Sequence, residues 1–121
     1  MKNLILFLGM AAFFLISCTQ NNQVIIAYES TGAISQYKLQ YLDKSGTLQN
    51  TLIHPQSKQD AWSYRFVGER GNIVYVSGKY NDPETGLKIM IKVEGKIYKQ
   101  ASNEGDTLNY LIVSGVVPIS D

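Results

Sequence analysis

Cysteine, histidine and proline are scarce in these 121 residues, which hold one Cys, one His and three Pro. A single thiol excludes a disulfide framework within the chain. One imidazole beside one thiol leaves little from which to assemble a metal centre or a hydrolytic triad. Net charge is lacking too. Eleven Lys and Arg stand against ten Asp and Glu, giving +1, so no global basic field exists to condense nucleic acid. No Gly-x-Ser-x-Gly, His-Glu-x-x-His, phosphate loop or paired-cysteine motif occurs. What is present is apolar material: 45% of residues are hydrophobic and 17% charged, a balance that suits one compact domain and excludes a largely disordered polymer.

The one long apolar run lies at the N-terminus, where Met1-Lys2-Asn3 precedes thirteen apolar or small residues, Leu4 to Ile16. As a helix this run reaches about 20 Å, short of the ~30 Å hydrocarbon core of a bilayer, and it is sized as the core of a signal peptide. The positive charge before it, the small residue at its end and the abrupt change to Thr19-Gln20-Asn21-Asn22-Gln23 complete a secretory pattern. Leu15-Ile16-Ser17-Cys18 resembles a bacterial lipobox, which implies that Cys18 is acylated and becomes the first residue of the exported protein. Residues 1–17 are thus read as a lipoprotein signal peptide, 18–22 as acylated Cys and polar tether, and 23–118 as the folded domain. Two or three acyl chains, at about 0.8 kcal/mol per buried methylene, hold such a domain on a membrane. Without residues 1–17 the charge balance is ten of each sign, so nothing beyond the anchor draws the domain to anionic lipid. The expected location is the bacterial cell envelope, at the periplasmic face or the outer membrane.

From Gln23 onward the residue types favour sheet, with eight Tyr, many Val and Ile, and turn residues at short intervals. Leu87, Ile89, Ile91 and Val93 alternate with Lys88 and Lys92, which predicts a strand with one wet face. Tyr37, Leu39 and Tyr41 alternate with Gln36, Lys38 and Gln40, and Trp62, Tyr64 and Phe66 with Ser63 and Arg65. Val24 to Tyr28, Ile73 to Val76 and Leu108 to Val113 are apolar on both faces and suit central or doubly covered strands. Turns are expected at Asp43-Lys44-Ser45-Gly46, at Gly68 to Asn72 and at Glu94-Gly95, with a longer loop over Asn81 to Gly86. Seven or eight strands without long helices make an all-β antiparallel two-sheet sandwich the expected fold.

Landmarks along this region resemble the MmpS-type family of small envelope proteins. Tyr28 and Gly32 are similar to its opening Tyr-x-x-x-Gly. Tyr41 and Gly46 are similar to its tyrosine strand and the turn after it. Trp62-Ser63 stands where the family has Pro-Trp-Ser, and Gly71, Val74, Val76 and Ser77 follow. Ile91-x-Val93-Glu94-Gly95-Lys96 is similar to its Ile-x-Val-Asp-Gly-Lys hairpin. The resemblance implies an immunoglobulin-like β-sandwich that serves as an accessory to a membrane transporter, with no catalytic residue to carry over. Three positions depart from the pattern: Ala61 replaces a Pro, Ile89 sits where the family often has one cysteine of a disulfide, and Cys18 replaces an N-terminal membrane helix.

Candidate functional residues are few. His54, beside Pro55, has no nucleophile or orienting group selected by spacing and reads as a surface-loop residue. Asp82 and Glu84 bracket Pro83 and, with Asn81, offer hard oxygen ligands of the kind calcium takes, but the spacing does not fit an EF-hand, and such residues serve turns for backbone reasons. No metal or cofactor is therefore expected. Tyr37, Tyr41, Trp62, Tyr64 and Phe66 alternate with polar residues and are expected in the core, whereas Tyr80, beside the loop, is the aromatic expected at the surface. Tyr80, Asn81, Asp82 and Glu84 are accordingly the candidate partner-binding residues. Asp106-Thr107-Leu108 resembles a short bacterial O-glycosylation acceptor. The leading expectation is a non-enzymatic binding or adaptor domain for an envelope or transporter protein, without nucleic acid as a partner. A small-ligand or glycan binder using exposed aromatics is the alternative, and a hydrolase at His54 or the Asp82 and Glu84 pair is the third.

Overall fold

The computed structural model describes residues 22–104 and 109–120. Its elements are β1 (Gln23–Thr31), β2 (Tyr37–Leu42), β3 (Leu48–Ile53), β4 (Trp62–Glu69), β5 (Ile73–Tyr80), β6 (Gly86–Val93), β7 (Lys96–Glu104) and β8 (Tyr110–Val116). They form two four-stranded sheets, ordered β4-β1-β6-β7 and β3-β2-β5-β8, in which every pairing is antiparallel. The fold is the expected all-β sandwich.

Period-two patterning explains which residues meet between the sheets. Val24, Ile26, Tyr28 and Ser30 of β1 and Leu87, Ile89, Ile91 and Val93 of β6 face Leu39 of β2, Val74, Val76 and Tyr80 of β5, and Leu111 and Val113 of β8, all of them buried. The sheets pack closely at Gly78, where a methyl group would lie 2.6 Å from Leu87 Cδ2. A buried polar link between them is satisfied: Ser30 Oγ and the Tyr37 hydroxyl share a hydrogen bond of 2.7 Å.

β1 and β5 are central in their sheets, as their doubly apolar sequences predict. β8 differs from that expectation. It is an edge strand whose Tyr110, Ile112 and Val116 side chains are about half exposed. Apolar residues on both of its faces therefore reflect an apolar outer surface and not a second covering layer.

The sandwich has two distinct ends and two distinct sides. The end where β1 begins also holds the β2–β3, β4–β5 and β6–β7 turns and the end of β8. It is called proximal here, because residues 1–21 precede it. The distal end, about 26 Å away for an eight-residue strand, carries residues 32–36, 54–61 and 81–85. At the proximal end Asp43 closes the β2–β3 turn, accepting hydrogen bonds from Ser45 N, Ser45 Oγ, Thr47 N and Gln49 Nε2. Glu94 (φ 53°) and Gly95 (φ 80°) make the left-handed β6–β7 turn, and Glu94 is held there by accepting a bond from Ile25 N. On one side, Tyr98 Oη donates to Val116 O at 2.7 Å and Asn103 Nδ2 to Tyr110 O at 3.1 Å, joining β7 to β8 across the sheets. The other side is bounded by β3 and β4.

Candidate interaction site

The side bounded by β3 and β4 combines three features: a row of aromatic rings, a strand edge without charge, and a distal loop pocket. The rings come from β1, β2 and β4. Tyr41 lies 5.0 Å from both Trp62 and Tyr64, Tyr64 lies 5.3 Å from Phe66, and Tyr28 lies 5.5 Å from Phe66 beneath them. Tyr28 is fully buried, and its hydroxyl donates to Leu42 O at 2.8 Å. Burial pushes its pKa up to about 12, a hydrogen bond with the Tyr75 backbone offsetting part of the effect. Tyr41, Trp62, Tyr64 and Phe66 are partly buried against the core, as expected, and pack chiefly on one another. They form a wall, not an open stacking platform.

β3 is the edge of its sheet, paired only with β2. Its sequence, Leu48-Gln49-Asn50-Thr51-Leu52-Ile53, contains no charge and no proline. Asp43 N donates to Thr47 O, and the alternation of an antiparallel ladder from that pair turns Gln49, Thr51 and Ile53 toward β2. Leu48, Asn50 and Leu52 consequently point their backbone N–H and C=O groups outward, away from the sheet. Sheet proteins usually blunt such an edge with Lys, Pro or a bulge. β4 carries Arg65 and Glu69, and β7 and β8 are bridged by side chains, whereas β3 has none of these protections. Sequence reasoning did not single out β3. Leu48 and Leu52, spaced by four, gave no clear alternation, and the uncharged stretch is the signal that marks it.

At the distal end of β3 lies a pocket of about 250 Å³ whose lining includes Ser35, Lys38, Leu52, Lys79, Asn81 and Asp82. Lys38 pairs directly with Lys79 and with Leu52 on its other side, so two ammonium groups face outward side by side, a repulsive arrangement. Ser35 Oγ is buried in this wall without a hydrogen-bond partner among the described residues. Thr85 is buried beneath the loop and fixes it, accepting from Ile34 N at 2.8 Å and donating to Gly86 O at 3.2 Å.

The sequence-derived candidates separate here. Asn81 and Glu84 are exposed and Asp82 is partly exposed on the distal loop. Asp82 Oδ1 accepts from Glu84 N at 2.9 Å, the turn-forming role expected of it. Tyr80 is a correction: it is 2% exposed and belongs to the core. Its position two residues beyond Gly78 continues the inward face of β5, and that alternation outranks its nearness to the loop. His54 is exposed just after β3. Among the described residues, no group of three or more His, Cys, Asp or Glu is placed to hold a metal ion. Cys18 and Thr107 lie outside the described residues. No protein-family model matches the chain, and no curated protein matches it.

Proposed function

We propose that this chain is a lipid-anchored envelope protein, acylated at Cys18, whose sandwich is a non-catalytic binding or adaptor domain of the MmpS type, accessory to a membrane transporter or envelope complex. The observation that carries the binding role is the bare edge of β3. An extended segment of a partner that lies against Leu48, Asn50 and Leu52 meets three outward pairs of backbone groups and adds a fifth strand to the sheet. Beyond Leu52 that segment runs onto Lys38 and Lys79, where an acidic side chain relieves their mutual repulsion, with Asn81, Asp82 and Glu84 beside it.

The strand order supports the immunoglobulin-like part of the reading. β1 and β4 pair as strands B and E do, β3-β2-β5-β8 follow the order C′-C-F-G, and β6 takes the place of strand A beside β1. The arrangement of the candidate site supports a role facing away from the bilayer, since the pocket sits at the end of the sandwich opposite the tether.

Asn50→Pro tests the reading. The Asn50 N–H points outward, so the substitution removes no bond within the sheet but denies one to an added strand. In pull-downs from crosslinked membranes the wild-type chain captures an envelope protein, and Asn50→Pro, with its thermal midpoint within a few degrees of wild type, loses it. Equal capture by the two chains, or capture by wild type no greater than by a control without the tether, overturns the proposal.

A further inference from the structure

The large exposed apolar side chains are not spread evenly over this domain. Ile25 and Val67 face outward side by side from β1 and β4, and Ile73 and Val116 form another outward pair on β5 and β8. Ile97 stands at the start of β7 and Ile119 just beyond β8. All six belong to the proximal end, as does Leu48 at the start of β3, and they include the two most exposed large apolar residues described, Ile73 at 66% and Ile119 at 82%. The distal half offers Ile34, Leu52, Tyr110 and Ile112 among the described residues. A groove lined by Leu42, Phe66 and Ile73 together with Asp43, Lys44 and Asn72 opens at the proximal end as well. The charges there come in both signs, Asp43, Glu69 and Glu94 with Lys44, Arg70 and Lys96, so the collar is not a basic surface seeking anionic lipid.

The same end receives the chain from Cys18. Asn22 is fixed to the β4–β5 turn, its carbonyl accepting from Arg70 N at 2.9 Å. It lies four positions beyond Cys18, with three residues between them, a reach of at most about 14 Å. From these two facts we infer that the proximal isoleucine collar is a membrane-contacting surface: the domain stands upright with Ile25, Val67, Ile73, Ile97, Val116 and Ile119 set into the lipid interface. The inference rests on the lipid-anchor reading and adds an orientation to it. Scattered exposed apolar residues are ordinary, but a ring of them encircling the end a short tether holds at a bilayer has a matching occupant, the acyl-chain boundary of that bilayer. The upright posture also points the β3 pocket and the Asn81 to Glu84 loop away from the membrane.

Bromolipid quenching reads this orientation in the full chain. The native Trp62, at the distal start of β4, is a built-in control, and Ile73→Trp adds an indole at the collar, where high exposure makes the change harmless to folding. The protein is purified from membranes and reconstituted into phosphatidylethanolamine–phosphatidylglycerol vesicles containing a phosphatidylcholine brominated high on its acyl chains. Trp62 emission is expected to be unchanged by the bromolipid. The additional emission of Ile73→Trp is expected to fall at least twofold and to lie further to the blue than in detergent-free buffer. Unquenched added emission in chains that float with the vesicles, whether because the collar hangs in water or because a protein covers it, overturns the inference. The mass of the N-terminal peptide reports the anchor separately. An acylated chain with an unquenched collar leaves the anchor standing and removes the orientation, whereas an unacylated N-terminal peptide removes the anchor and the orientation with it.

Discussion

Tyr28 allows the packing account to be tested against pH. Its ring is wholly buried among Tyr41, Tyr64 and Phe66, and its hydroxyl reaches Leu42 O. Tyr28→Phe keeps the ring and removes that bond, leaving a half-buried carbonyl to find water, at a cost of about 1–2 kcal/mol near neutral pH. Burial also raises the folded-state pKa to about 12, above the value of about 10 in an unfolded chain. The hydroxyl's contribution is therefore complete below pH 10 and is lost as pH rises through 12. The full gap corresponds to at most about 2–3 kcal/mol after allowance for screening, and roughly half of it is already gone at pH 11. Urea unfolding followed by Trp62 fluorescence at pH 7, 9, 10 and 11 measures this, since the other titrating groups are common to both proteins. Wild type should exceed Tyr28→Phe in stability at pH 7 and lose most of that advantage by pH 11. A difference that stays constant over this range would refute the claim that the hydroxyl is buried and neutral.

Two further outcomes follow from the packing and the turns. Hydrogen bonds from the Thr47 backbone, the Gln49 and Ser45 side chains and the Ser45 backbone hold Asp43 well below the usual carboxylate range, at about 2. Its contribution to stability is present above pH 4 and disappears as pH falls through 2, so Asp43→Asn should unfold at lower urea than wild type at pH 6, with the two converging toward pH 2. Gly78→Ala should cost about 1–3 kcal/mol through overpacking against Leu87 and Ile89, read as a lowered thermal midpoint without loss of the strand spectrum.

Much of the sandwich was legible because strands with one wet face write their geometry into the chain. Leu87 to Val93 and Trp62 to Phe66 alternate cleanly, and Gly46, Gly71 and Gly95 all sit at turns with positive φ. The errors arose where a strand meets solvent on more than one side. β3 has water along its edge and over its outer face, so nothing enforces a period of two on Leu48 to Ile53, and the strand does not stand out in the sequence. β8 carries apolar residues outward at Tyr110, Ile112 and Val116, which imitates the composition of a central strand. Tyr80 was misplaced because proximity to a polar loop was given more weight than its register with Val74 and Val76. The uncharged run from Leu48 to Ile53 is written in the sequence, but its place at a sheet edge, the opposed Lys38 and Lys79, and the proximal collar were not legible. Each depends on residues far apart in sequence that the sheet pairing brings together.

Photocrosslinking from the β3 edge tests the binding role most directly. With a benzophenone amino acid at Leu52, illuminated cells should yield one discrete adduct with an envelope protein, abolished by Asn50→Pro in the same chain. The same probe at Ser63, on the outer face of β4, should yield none. An equal adduct from both positions, or one from Leu52 that survives Asn50→Pro, would contradict docking at this edge.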